Sequence, residues 1–248
     1  MKRKELSEKL FEEMKRIVTK YPNGVVEVPK MLYIKEFFPG GIGFTTCSNI
    51  EKEFEVLVFA HDFDSKNNYY KYKEDGSHEN NSTLDNLEKM LQEIKGVCIE
   101  DCFLSNAIMG LRNSDKNTGE YAPFKDKNFL KLNEEFIRMQ IEIIHPKLII
   151  TLGNDSLEIV KNALSIKLRN FGLVNSDKNI KSIEKNIIMD ELKFDLIALT
   201  HTTNNRRQRN LSYRNYFKND EILKGEQAEI EMMKDYFNNK YDLFIKEV

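Results

Sequence analysis

A carboxylate, two imidazoles and an amide stand where apolar runs of this chain stop. His61 and Asp62, with Asp64 and Ser65 just behind them, end the run EVLVFAHDFDS at 55–65. Asn106 ends VCIEDCFLSNA at 97–107, Gly153 follows KLIITL at 147–152, and His201 follows DLIAL at 195–199. Val56, Leu57, Val58 and Phe59 form an unbroken apolar stretch, the pattern of a strand buried on both faces. A strand of that kind that stops in ionisable side chains puts them at the carboxyl edge of its sheet, where open α/β folds bind ligands. If the four runs are parallel strands, Asp62, Asn106, Gly153 and His201 converge on one edge. Taken singly, each polar residue has a plainer reading: Asp62 as a turn acid or helix cap, Asn106 as a buried amide serving loop backbone, His201 as a packed histidine. Their joint occurrence at successive strand ends favours a site.

The elements that must position these residues are legible from periodicity. Leu6, Leu10, Met14, Ile17 and Val18 recur at helical spacing within 2–20, stopped by Tyr21-Pro22-Asn23-Gly24. Residues 25–49 hold a short β-like VVEV and the turn-rich PGGIGF at 39–44, an irregular segment wrapping the sheet. KNNYYKYKEDGSHENNST at 66–83 is polar and without periodicity, a long connection of the kind that is often functional. Thr83 caps an expected helix with Leu84, Leu87, Met90, Leu91 and Ile94 on its apolar face, ended by Gly96. Residues 110–128 read as a second polar loop, containing Arg112, Glu120 and Tyr121. A helix over 129–145, with His145 at its terminus, is closed by Pro146, and Gly153 lets another helix start close against the strand before it. Residues 165–192 are weakly patterned, a short hairpin or a loop insertion, and a last helix spans about 220–238.

Strands alternating with helices predict an α/β fold, a three-layer α/β/α sandwich around a central, mainly parallel four-stranded sheet. No repeat or linker divides the 248 residues, so one domain is expected, with its core at about 40–218. The net charge of −2 exerts no global pull on nucleic acid, and any such binding must come from local clustering. Arg206, Arg207, Arg209, Arg214 and Lys218 supply such a cluster, with no acid among them. By itself the run reads equally as a solvated face or a docking site. The N-terminus has no secretory apolar segment and no run is long enough to cross a membrane, so a cytoplasmic protein is expected. Cys47, Cys98 and Cys102 are too few for a disulfide framework and read as buried, reduced thiols; His78 reads as solvated.

In order, AHDFD, SNA, PKLIITLG and THTT resemble the landmarks of the uracil-DNA glycosylase superfamily: a GQDP-like or GEAPG-like first motif, an Asn at a later strand end, a P-K-x-I-I-x-L-G segment and a final H-P-S motif. The resemblance covers about residues 40–218. It implies a glycosidase of DNA repair that hydrolyses the N-glycosidic bond of a uracil, or a related damaged base, flipped from the stack. Asp62 then supplies the carboxylate that orients water and stabilises positive charge on the sugar, and His201 the imidazole that hydrogen-bonds the departing base. Asn106 reads the base edge, since an amide donates and accepts together, with His61 and Phe63 of the altered first motif beside it. Arg206, Arg207, Arg209 and Arg214 hold phosphates of the DNA, single-stranded DNA included. The resemblance implies no cofactor, no metal and a monomer. Ala60, His61 and Phe63 replace the glycine, Gln or Glu, and proline of the first motif, and Thr202 replaces the proline after the histidine. Those replacements motivate a second expectation, a non-catalytic nucleic-acid-binding module on the same fold; a third is an enzyme of free nucleosides or nucleotides.

Overall fold

Alternate residues of the apolar runs go to opposite sides, and that sorting builds the layers. Leu57 and Phe59 enter one buried cluster, while Val56, Val58 and Ala60 enter another. Ile149 and Leu196 follow the first pair; Leu148, Ile150, Ile197 and Leu199 follow the second set. A strand apolar at every position must be covered on both faces. The computed structural model of the chain describes residues 3–45, 54–75, 82–94, 97–113, 126–168, 182–203 and 215–244.

The strands are β1 (Val25–Val26), β2 (Val56–Asp62), β3 (Cys102–Ile108), β4 (Leu111–Arg112), β5 (Leu148–Leu152), β6 (Ile183–Met189), β7 (Leu192–Leu199), β8 (Asn215–Lys218) and β9 (Glu221–Lys224). The helices are α1 (Arg3–Ile17), α2 (Lys66–Asp75), α3 (Ser82–Gln92), α4 (Lys127–Ile144), α5 (Asn154–Leu164) and α6 (Gly225–Phe244). Helices α1, α4 and α5 cover one face of the sheet through residues such as Leu10, Phe136 and Val160. Helices α3 and α6 cover the other through Leu87, Leu91, Met233 and Phe237. The result is an α/β fold consistent with three layers.

The central sheet has five strands, in the order β3-β2-β5-β7-β6, rather than the four expected. The first four run parallel, and β6 pairs antiparallel with β7. Of the two readings open for 165–192, its described end is the hairpin: β6 turns back through Asp190, at φ 53°, into β7. Its weak pattern has a cause in the edge position, where Lys185 and Asn186 are exposed along a strand paired on one side only. A bulge at Asn186 is pinned by the buried Asp195, which accepts from Asn186 N at 2.7 Å and from Tyr236 Oη at 2.8 Å.

Two further expectations are corrected. The polar stretch after Ser65 begins with helix α2, not a loop. Ser65 Oγ accepts from Asn68 N, and Tyr69 and Tyr72, one turn apart, fold inward. Tyr69 is fully buried, with its hydroxyl on the Lys30 carbonyl at 2.6 Å. Sequence periodicity missed this face because tyrosine counts as polar, although its ring packs like any apolar group. Second, Arg112 lies in β4, which pairs with β1. Two-residue strands are too short to show a period. Of the cysteines, Cys102 is buried and Cys98 exposed, both as thiols, and Cys47 lies outside the described residues. No described helix is long and apolar enough to cross a membrane.

Candidate functional site

The order of the sheet selects one place for a site. From β2 the chain moves outward to β3, then returns to add β5 and β7 on the other side. The reversal puts the switch point of the sheet between the carboxyl ends of β2 and β5, the position where doubly wound sheets bind ligands. At the end of β2 stand His61 and Asp62, just past β5 stands Gly153 and, one strand further, just past β7, His201.

Asp62 is held from two sides. Arg112 Nε meets its Oδ2 at 2.5 Å, Arg112 Nη2 meets Oδ1 at 3.3 Å, and His61 Nδ1 lies 2.7 Å from Oδ1. The Asp62 and Arg112 side chains are 10% and 9% exposed, so this is a buried pair. Burial by itself pushes the Asp62 carboxyl up; the neighbouring His61 and the Arg112 guanidinium outweigh it and hold the group down at about 2. Asp62 is therefore an anion at neutral pH. Arg112 reaches it because its backbone is laced to the chain just past β2: Arg112 N donates to the Asp64 carbonyl at 3.0 Å.

His201 is the second centre. Burial, and then the nearby His61, push its imidazole down to about 4 against the opposing pull of Asp62 and Asp155, so it is neutral at pH 7. His61, Asp62 and Asp155 are thus all close enough to act on the ring electrostatically. The backbone N–H of Thr203 donates to His201 Nδ1 at 3.2 Å. An amide N–H can only donate, so Nδ1 is an acceptor and the neutral ring carries its proton on Nε2.

The segment that presents His201 is tied on both sides. Glu229 of α6, 3% exposed, accepts from Thr200 N at 2.8 Å and Thr200 Oγ1 at 2.6 Å. From α3, Asn86 Nδ2 donates to the Thr202 carbonyl, and Thr202 Oγ1 donates to the Thr83 carbonyl at 3.1 Å. Gly153 lies beneath the ring at φ 91°, and a Cβ there would stand 3.2 Å from His201 Cβ.

The expected reader, Asn106, is placed differently from the other three. It pairs with Ala60, two residues short of the level of Asp62, and is 1% exposed. Its Nδ2 donates to the Phe38 carbonyl at 2.9 Å, which also accepts from Asn106 N at 3.1 Å. The amide thus ties the loop ahead of PGGIGF to the sheet edge, the service to loop backbone that is its plainer reading. Phe63 is half-buried, its ring crowded against the Gly40 backbone and edge-on to Tyr72 at 6.3 Å. A Cβ on Gly40 would fall 2.2 Å from the Phe63 ring, so a side chain there would have to displace that ring. Tyr72 in turn donates to Asp64 Oδ2 at 2.7 Å.

A scan against protein-family models gives no match, and no curated protein matches the chain.

Arg206, Arg207, Arg209 and Arg214 lie outside the described residues, as do His78, Glu120 and Tyr121. Lys218, grouped with the arginines by sequence, is engaged by α6: its Nζ meets Glu231 at 2.9 Å and Asp235 at 2.8 Å. Among the described residues no three His, Cys, Asp or Glu side chains gather as a metal-ligating group. Arg112 and Glu229 are the site residues that sequence reasoning passed over. Their partners lie 50 and 29 residues away, beyond any local pattern. The adjacent glycines of PGGIGF were the one available signal that backbone comes close to something there.

Proposed function

We propose that this protein hydrolyses the N-glycosidic bond of a uracil or related damaged base in DNA. The observation that carries the reading is an ionised carboxylate at the switch point of the sheet, close enough to act electrostatically on a neutral imidazole one strand away. Cleavage of a glycosidic bond builds positive charge on the sugar and negative charge on the departing base. Fixed groups of the right polarity stabilise both without reorganising. Asp62 offers the anion. His201 offers an Nε2–H donor, and a neutral donor does not compete with the base for charge. The target base has to leave the stack to meet them. The resemblance of AHDFD, PKLIITLG and THTT to the glycosylase landmarks supports the same chemistry, and Arg206, Arg207, Arg209 and Arg214 are proposed to hold the phosphates.

The test is release of base from uracil-containing single- and double-stranded oligonucleotides, followed by alkaline cleavage at abasic sites. Strand breakage lost in His201→Ala supports the reading. No breakage with uracil or any other deaminated base, at high enzyme excess, overturns it.

One observation favours a second reading, a binding module without chemistry: both Asp62 oxygens are engaged by Arg112 and His61. That reading expects salt-dependent nucleic-acid binding that survives Asp62→Ala. Undetectable binding at low salt removes it, and turnover of free nucleosides but not oligonucleotides replaces both readings.

A further inference from the structure

We infer that helix α2 and the segment 30–35 beside it form a track for single-stranded nucleic acid, beginning at the carboxyl end of β2. The inference rests on the reading above for its choice of a DNA strand, and deepens it by giving that strand a path apart from Arg206, Arg207, Arg209 and Arg214.

The helix sorts its residues by face. Tyr69 and Tyr72 turn inward, the first onto the Lys30 carbonyl at 2.6 Å and the second onto Asp64 Oδ2 at 2.7 Å. Lys66, Tyr70 and Lys73 then fall at i, i+4 and i+7, a single stripe on the outer side. All three are exposed, as is Lys71, and Lys73 Nζ lies 5.7 Å from the centre of the Tyr70 ring. Tyr70 is also edge-on to Tyr69, with ring centres 5.4 Å apart, so the stripe borders the segment that Tyr69 holds. That segment exposes Lys30, Tyr33 and Lys35, and Lys4 Nζ of α1 lies 4.8 Å over the Tyr33 ring.

Charge on this surface is one-sided. Lys30, Lys35, Lys66, Lys71 and Lys73 make no ion pair with any described residue. The acids described on α2, on the adjoining segment and beside Tyr33 are Glu74, which is exposed, Glu36, which is buried, and Glu8. Glu8 takes the Tyr33 hydroxyl at 3.0 Å and lies 3.9 Å from Lys4. Ammonium groups interleaved with exposed rings suit a single strand, because cations follow the phosphates and rings stack on bases that have no partner strand. A duplex presents its backbone but keeps its bases stacked, so the rings add nothing for it. From Lys66 to Lys73 the helix rises about 10 Å, the span of about three nucleotides at about 3.4 Å each. A lipid surface fits less well. Among the described residues the other exposed large apolar side chains, Ile188 and Ile222, stand on β6 and β9, which leaves this face without an aliphatic anchor.

The surface is fixed to the candidate site. Asn68 Nδ2 donates to Asp64 Oδ1 at 2.9 Å and to Oδ2 at 3.1 Å, and Ser65 N donates to Asp64 Oδ1 at 2.6 Å. Ser65 is buried and forms a β-bridge with Arg112, whose side chain holds Asp62. A strand laid along α2 is thereby delivered to the sheet edge where Asp62 stands.

Fluorescence anisotropy with a labelled oligothymidylate, which holds no uracil, reads binding without chemistry. Tyr70→Ala is expected to weaken it about 5- to 100-fold, the loss of one stacked base. Replacing Lys66, Lys71 and Lys73 together by Gln should lower the slope of log affinity against log salt by up to about 2, since each phosphate contact on a single strand contributes about 0.7. A duplex of the same length should bind more weakly and be insensitive to Tyr70→Ala. These side chains are exposed, so circular dichroism of the variants should match wild type, and the ring and lysine variants test the track separately. Lys193→Gln, at the end of β7 away from His201, is the control; a loss there equal to that of Lys73→Gln marks a general charge effect and overturns the track. Wild-type protein that does not bind at low salt, or α2 variants that bind as wild type does, overturns it too. Binding through α2 to phosphatidylserine vesicles in place of the oligonucleotide gives the surface to a membrane and overturns it likewise. Base release absent from wild type, with the Tyr70 effect present, refutes the glycosidase reading and leaves the track; base release present, with normal binding by the α2 variants, refutes the track alone.

Discussion

Replacing Arg112 by Met isolates what the buried pair contributes. Arg112 and Asp62 are 9% and 10% exposed, so removing the guanidinium leaves a largely buried carboxylate without its permanent cationic partner. Breaking a buried pair from one side costs about 3–5 kcal/mol, whereas an exposed pair is worth about 1 kcal/mol or less. The Asp62 titration gives a figure for His61 and Arg112 together, with His61 the larger cause. Its fall from an ordinary 3.8 to about 2 corresponds to about 2 kcal/mol of stability at neutral pH. Because the folded carboxyl titrates below the unfolded one, that contribution is complete well above pH 3.8 and is lost as pH falls toward about 2. In Arg112→Met only His61 opposes the effect of burial, and the folded carboxyl rises. The stability gap between wild type and variant is therefore largest near pH 7 and narrows in acid, where Asp62 is protonated in both. Urea unfolding followed by circular dichroism, which suits a chain without tryptophan, gives the midpoint and slope at each pH. Adding Asp62→Leu to Arg112→Met should recover much of the loss, since removing both charges leaves no orphan. A single-variant cost below about 1 kcal/mol, or a gap independent of pH, refutes the reasoning.

Three other outcomes are expected. His201 titrates near 4 in the fold against an ordinary 6.5, so stability falls as pH drops from 6.5 toward 4, where the unfolded chain binds the proton first; proton NMR of the ring follows the titration, and a His201 midpoint above 6 contradicts the burial argument. Gly153→Ala forces a side chain into φ 91° and to 3.2 Å from His201 Cβ, costing about 1–3 kcal/mol and lowering the rate of base release; a thermal melt unchanged from wild type shows that the backbone relaxes there. Glu229→Ala leaves the buried Thr200 N–H and hydroxyl without their acceptor, at about 1–3 kcal/mol, and should weaken activity through His201 although Glu229 lies one residue removed from it; full activity in a destabilised variant separates the structural effect from positioning.

The apolar runs at 56–59, 148–152 and 195–199 determined the parallel core and its carboxyl edge, because a strand buried on both faces is written continuously in its own residues. The same is true of Pro146 after α4 and of Gly153 before α5, where local backbone geometry dictates residue type. Along with them the sequence placed Asp62, Gly153 and His201 at strand ends. Tertiary structure decided everything that depends on distant partners. Strand order set the switch point between β2 and β5, and register lowered Asn106 to the level of Ala60. The fifth strand, β6, was hidden because an edge strand exposes polar side chains. Arg112 was hidden because its two-residue strand is held by Val25–Val26 and by Asp64, not by its own neighbours. The roles of the histidines were beyond the sequence for another reason: their hydrogen-bond partners are near in the chain, but only the folded side-chain geometry sets which nitrogen each one meets. A hydrogen bond to one nitrogen fixes what the other can do, and those bonds exist only when His61 meets Asp62 at the switch point and His201 turns back on Thr203.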